Sequence, residues 1–247
     1  MASVEVSDFQ TFHKAVTEYC SDMIFRGVSH KSYKLIPKVG RERYVRNSHR
    51  EKVFPLLDTY EQKLMQEFQN IAMPFLDNTP QSQWEWWAVA QHHGLPTRFL
   101  DWTKNPLVAA FFAIEDCNLD EDCVVYACDS TQFNYNIDLS DNPDPLGIQE
   151  IFLYNPPHIT QRITAQSGLF TVHSDPTIPL DQIERPYVEE TDDEHNENYL
   201  VDKLVIHKEF KKEFKKILNL YGWNQATIYP GLDGITGHLD WLTIDAL

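Results

Sequence analysis

Apolar positions recur along this chain with two periods, and the switches between them predict its elements. Phe9, Phe12, Val16 and Tyr19 fall on one face of a helix over 7–21, capped by Ser7 or Asp8. A short apolar run over 23–28, interrupted by Arg26 and Gly27, predicts a strand. Leu56, Leu57, Tyr60, Leu64, Met65, Phe68 and Ile71 suit a long amphipathic helix over 50–73, with Pro55 near its start, where proline is tolerated. Ser82 with Glu85 three residues on is a capping box, and Gly94 is a C-terminal stop, so 83–93 is bounded as a helix at both ends. An extended piece over 95–102 follows. It feeds Asn105 and Pro106, a cap and a proline at the first helical position, and a helix through Glu115. The run VVYAC over 124–128 is the clearest buried strand in the chain.

Beyond it the signals weaken. A turn cluster occupies 141–145, a short helix is expected over 147–154, and a helical turn over 160–166, stopped at Gly168, precedes a strand over 169–173. An acidic loop spans 189–197, 199–206 alternates as a strand, and 208–221 reads as an amphipathic helix with a solvated lysine face, ended by Gly222. No repeat and no shift in composition marks a boundary. The expectation is one α+β domain over 1–247, decorated by the helix at 7–21 and a helical segment at 208–245.

A hydrophobic content of 42% with 13% aromatic residues is that of a folded protein rather than a disordered one. No apolar run approaches the roughly 20 residues a bilayer span requires, and the N-terminus lacks a secretory pattern, so no membrane partner and a cytoplasmic location are expected. Cys20, Cys117, Cys123 and Cys128 lack zinc-site spacing and are expected as free thiols. The formal net charge of −16 opposes general affinity for nucleic acid. Locally the sign reverses: between Arg26 and Lys52 nine basic residues face only Glu42 and Glu51. That segment is either a solvated loop or a basic lip turned toward a phosphate-bearing ligand.

Candidate chemistry concentrates between Trp84 and Phe112, where polar groups crowd against aromatic surface. Arg26, inside a predicted strand, is either paired structurally or aimed at a ligand, and Gly27 would permit close approach by backbone or ligand. His92 and His93 point in different directions at a helix end, a poor metal pair, so no metal is expected, though one of them can line a pocket. Arg98, Asp101 and Thr103 share the extended piece, with Asp101 alternatively a helix cap. Gln161, Arg162, Gln166 and Gly168 form a further polar group that could hold a ribose or phosphate, or brace the fold. Phosphate-loop, nucleophile-elbow and zinc-protease motifs are absent.

FRG at 25–27, AQHHGLPTRFLDWTKNPLVAAFFA at 90–113, RITAQSGLF at 162–170 and GWNQATIYPGLDG at 222–234 together resemble the FRG-domain family. The pattern is distantly similar to the ADP-ribosyltransferase fold. That resemblance implies a split, curved antiparallel sheet with helical decoration, holding NAD as substrate in its cleft. It implies that Arg26 holds the diphosphate or a ribose, that Asp101 or Thr103 fixes the nicotinamide ribose, and that Trp87, Trp102 or Phe170 stacks on nicotinamide. Gln166 would orient the acceptor. Further contacts to the cofactor are expected from Gly27, His92, His93, Arg98 and Arg162. Gln166 stands where the fold's enzymes carry a glutamate, and an amide is no general base. Asp101, then Glu150 and Glu115, are the substitutes. The implied activity is cleavage of NAD and modification of a macromolecule, as in a toxin or antiviral-defence effector. The alternative is a nucleotide- or nucleic-acid-binding module without chemistry, and a third reading is an antitoxin-like or regulatory partner docked through the acidic loop.

Overall fold

The computed structural model of the chain describes residues 2–42, 57–76, 78–115, 120–135, 141, 143–157, 165–184 and 198–244. Among them are seven strands: β1 (Ser3–Val6), β2 (Met23–Val28), β3 (Phe99–Thr103), β4 (Cys123–Asp129), β5 (Phe152–Tyr154), β6 (Gly168–Val172) and β7 (Val201–Ile206). They form one sheet in the order β1-β7-β4-β2-β3-β6-β5. The described helices are α1 (Phe9–Thr17), α2 (Leu57–Ala72), α3 (Gln83–His92), α4 (Pro106–Ile114), α5 (Lys211–Leu220), α6 (Gln225–Ile228) and α7 (Leu232–Ile244). The class is α+β, as expected.

The sheet is mixed rather than antiparallel throughout. β1 runs parallel to β7, from Ser3↔Lys203 to Val6↔Ile206, while the other pairs are antiparallel. The cause is where these two strands lead. Both end at the same edge of the sheet and pass into helices that pack together, with the Phe12 ring of α1 and the Phe214 ring of α5 5.0 Å apart.

Local chemistry sets the elements flanking the cleft described below. Ser82 Oγ accepts from the Glu85 amide at 3.2 Å to start α3, and Gly94 ends it at φ +84°. Asn105 Oδ1 accepts from the Leu107 amide at 2.9 Å to start α4, with Pro106 at its first position. β4 is buried at every residue from Cys123 to Cys128 because both faces of the sheet are covered there. On one face α1, α4 and α5 enclose Phe12, Phe25, Phe111, Val125, Leu204 and Phe214. On the other, irregular segments bring Leu35, Phe133, Leu180 and Tyr199 onto Ile24, Tyr126 and Val201. A third cluster packs Met65 of α2 and Trp84 and Trp87 of α3 on Phe99, Tyr154 and Phe170 of β3-β5-β6. Each of those tryptophans, hidden almost completely, contributes about 5 kcal/mol of gross burial energy.

Two elements differ from the sequence reading. Residues 147–154 are not a helix: a single 3₁₀ turn covers Pro145–Gly147, and Phe152–Tyr154 is an edge strand whose three side chains are all buried. The helix expected from residue 208 begins as a 3₁₀ turn, Lys208–Phe210, before α5, and Lys211 on its lysine-rich side is fully buried. The turn at 160–166, apart from its last two residues, and the acidic loop at 189–197 lie outside the described residues. No described helix is long and apolar enough to cross a membrane.

Candidate functional site

β2 and β3 are neighbours, yet they register at one pair only, Phe25↔Thr103. β2 and β4 register at six, and β3 and β6 at five. Beyond that single rung the two strands part, and the gap is a cleft of about 440 Å³ walled by β2, β3, the start of β6 and the end of α3.

β3 keeps its ladder to β6, but parting from β2 leaves its other side without one, and carbonyls turned inward there need a partner. Arg26 supplies it. Its Nη1 donates to the Asp101 carbonyl oxygen at 2.7 Å and to Asp101 Oδ2 at 3.3 Å. Of the two readings of Arg26 the structural pairing is present, and the same side chain lines the cleft. Its neighbour Gly27 lines the cleft with its backbone, while its Cα–H side is turned to α4. A Cβ there would lie 1.9 Å from the Ala109 carbonyl oxygen and 2.6 Å from the Ala113 amide nitrogen, so it is helix α4 that approaches this glycine closely.

Asp101 is the one carboxylate lining the cleft among the described residues, and its side chain is half exposed. Its direction is fixed from α3. Gln91 Nε2 donates to Asp101 Oδ2 at 2.9 Å, while Gln91 Oε1 accepts from the Thr97 hydroxyl at 2.6 Å. Thr97 Oγ1 in turn accepts from the Phe99 amide at 3.1 Å. Gln91 was not singled out, although it stands in the motif at 90–113 and ends the otherwise apolar run WWAVA.

Thr103, almost fully buried, donates to the Gln166 carbonyl at 2.7 Å and accepts from the Asn105 amide at 3.1 Å, which ties β3, β6 and the α4 cap together. Gln166 lines the cleft, and its Nε2 donates to the Ile228 carbonyl of α6 at 3.2 Å. Ser167 beside it adopts φ +47°, a left-handed backbone that costs a non-glycine residue about 1 kcal/mol.

Trp102 and Phe170 line the cleft with edges that are almost wholly buried. The Trp102 indole donates to Thr171 Oγ1 at 3.0 Å, and that oxygen lies 3.0 Å from His173 Nε2. Tyr33 and Phe112, less buried, are further aromatic wall residues that the sequence did not single out. His92 lines the cleft, whereas His93 is exposed and absent from its walls; their rings meet edge-on at 5.2 Å.

Arg98 does not reach the cleft. Its side chain, 1% exposed, contacts Asp58, donates to Glu61 Oε2 at 2.7 Å and to the Ser174 carbonyl at 3.3 Å, clamping α2 onto β3. Burial pushes the Glu61 carboxyl up, against the opposing pull of Arg98. The expectation of a cofactor contact from Arg98 is corrected accordingly: a buried guanidinium needs a carboxylate, and α2 provides one. Trp87 likewise belongs to the third core cluster and not to the cleft. Arg162 lies outside the described residues. Glu150 accepts from Asn134 at 3.4 Å, and Glu115 accepts from the Tyr229 hydroxyl at 2.9 Å beneath α7; neither lines the cleft.

The charge of the walls runs against that of the chain. Arg26, Lys38 and Arg41 line the cleft opposite Asp101, a local excess of two positive charges within a net −16. Lys38 Nζ donates to the Gly94 carbonyl at 2.6 Å, which holds the basic segment against the end of α3. Residues 43–56, the rest of that segment, lie outside the described residues. Cys20, Cys123 and Cys128 are free thiols, and burial pushes Cys123 up to about 12, too high for a nucleophile.

Comparison with known families bears on this same stretch of chain. Residues 21–122 match the FRG domain. The FRG domain thus carries β2, β3, Gln91, Asp101 and Thr103, while β6 and Gln166 come from beyond the match. No curated protein and no solved structure matches the chain.

Proposed function

We propose that the cleft takes NAD or a related nucleotide, and that the protein is an ADP-ribosyltransferase-like enzyme acting on a macromolecule, as a toxin or defence effector would. The observation that carries this reading is the half-exposed Asp101 carboxylate, held by Arg26 and Gln91, in a cleft whose other charged walls are cationic. A dinucleotide presents both matching charges: an anionic diphosphate for Lys38 and Arg41, and a ribose carbon that turns positive as its bond to nicotinamide breaks. In that step the C1′–N bond electrons pass to the ring nitrogen and neutral nicotinamide leaves. A fixed carboxylate beside C1′ stabilises the developing charge without having to reorient. The acceptor's nucleophile then adds to C1′ and its proton passes to water. Thr103, with both hydrogen-bonding directions engaged, holds the walls rather than the substrate.

The test is purified protein with NAD and cell lysate, following nicotinamide release and mass shifts on macromolecules. Asp101→Asn, nearly isosteric, is expected to lower turnover at least about 100-fold, the scale of losing one preorganised electrostatic group. Undiminished turnover in that variant would overturn the reading. Tight nucleotide binding with no nicotinamide released would favour a sensor instead, a second reading supported by the amide of Gln166, which offers no carboxylate.

A further inference from the structure

The last described helix, α7, is the least buried of the described helices, and four of its exposed side chains are apolar. Leu232 is 79% exposed, Ile235 46%, Leu239 55% and Leu242 36%. At about 100° per residue these four side chains fall within roughly 80° of one another, a single stripe. The opposite face carries Gly234, Gly237, His238 and Trp241, and in the last turn Ile244, which is 68% exposed and stands off the stripe. A Cβ at Gly234 would lie 2.0 Å from the Tyr229 carbonyl oxygen, and one at Gly237 2.5 Å from the Gln225 side chain, so these glycines seat α7 directly on α6. The stripe therefore points away from the protein. Such a helix is poorly stabilised by itself: two interior glycines each cost about 1 kcal/mol relative to alanine, and helices of this length are marginal without packing.

We infer that this stripe pairs with the same stripe of a second copy of the chain, antiparallel, about a two-fold axis. Three observations select that occupant. The intervals between the four apolar positions are three, four and three residues, which read the same in both directions. Reversing one helix therefore sets Leu232 against Leu242 and Ile235 against Leu239, the isologous match a two-fold contact requires. Charge agrees: Asp233 and Asp240 stand more than about 100° round the helix from the centre of the stripe, and its immediate flank carries Thr236 and Thr243. A copy of a chain with net charge −16 thus meets its partner at a seam free of like charge, whereas a charged partner would find nothing there to pair with. Extent sets the strength. One helix spanning about 20 Å covers less than the roughly 800 Å² per partner of a standard interface, which fits a weak, reversible dimer.

Sedimentation of the purified chain from low micromolar to about 100 µM is expected to show monomer passing to a species of twice the mass. Leu239→Glu and Leu239→Lys, charges of either sign on an exposed position, are each expected to weaken the dimer at least about tenfold with unchanged melting of the monomer, because they bury an unpaired charge. Orientation is read separately. In a Cys20→Ser, Cys117→Ser background, where the remaining Cys123 and Cys128 are buried, Leu232→Cys and Leu242→Cys proteins mixed together are expected to join through a short bis-maleimide, as identified by peptide mass. Leu232→Cys alone is expected not to join, because antiparallel pairing holds its two copies about 15 Å apart along the axis. A monomer throughout the concentration range, a dimer indifferent to both Leu239 variants, or linking of Leu232→Cys to itself would each overturn the proposal.

Discussion

Lowering the pH from 8 to 5 is expected to cost about 2 kcal/mol of folding free energy through His173 alone. The side chain is fully buried: Nε2 faces the Thr171 hydroxyl at 3.0 Å, and Nδ1 meets no hydrogen-bond partner among the described residues. Burial first, and then the positive charges of Arg98 and Arg26, depress its pKa from the ordinary 6.5 to about 3. The unfolded chain takes up the proton near pH 6.5, whereas the folded one resists it until about pH 3. Stability from this site is therefore complete above pH 6.5 and drains away as the pH falls between those values. At pH 5 the unfolded state has gained roughly 1.5 units of advantage, which at about 1.36 kcal/mol per unit gives the figure above, or about 4–8 °C in melting temperature for a chain of this size. Urea denaturation of the parent and of His173→Gln at pH 8, 7, 6 and 5 isolates the effect, since the other histidines and the carboxylates are common to both. The parent curve should fall more steeply than the variant's. Parallel curves, agreeing within about 0.5 kcal/mol across the range, would refute the assignment of a neutral buried imidazole.

Other perturbations test the cleft's construction. Gly27→Ala drives a methyl into the backbone of α4, which cannot yield, and is expected to cost about 3 kcal/mol or more by urea denaturation. Ser167→Gly removes a left-handed strain at an exposed position and is expected to be neutral to about 1 kcal/mol stabilising in the same assay, the relief partly offset by added freedom in the unfolded chain. Gln91→Leu strips the acceptor from the buried Thr97 hydroxyl and a donor from Asp101, so a loss of about 1–3 kcal/mol is expected. In a double-mutant cycle that loss should couple to Asp101→Asn; simple additivity would argue that the contact carries no energy.

The sequence exposed those parts of the fold whose signals are local. A serine cap and a glycine stop define α3, an Asn-Pro start defines α4, and a short β-branched apolar run without helix caps marks the buried strand β4. β1 escaped because SVEV is half polar and buries only Val6; its strand character comes from a partner two hundred residues away. β5 escaped for the same reason, since three residues carry no period and pairing with β6 decides their conformation. At the site, Arg26, Asp101, Thr103 and Gln166 were found from motif spacing and do converge on one cleft. Arg98, from the same motif, went elsewhere because its fate depends on Glu61, a residue of α2 that nothing in the local sequence of Arg98 announces. Gln91 was overlooked because glutamine at a helix end ordinarily meets water, and only the fold turns its amide toward Asp101.

The order of the sheet also governs how the protein can be made. β2 and β3, the strands of the FRG domain, sit at its centre, but their outer neighbours β4 and β6 are synthesised after residue 122. A nascent chain that had just emerged to that point would present two strands joined by one rung, each with an open edge waiting for chain yet to come. Of the described strands β1 waits longest, because its partner β7 ends at Ile206. Closure is therefore dominated by distant pairings and is slow by nature. The cleft comes into being late, only when β6, beginning at Gly168, returns to β3.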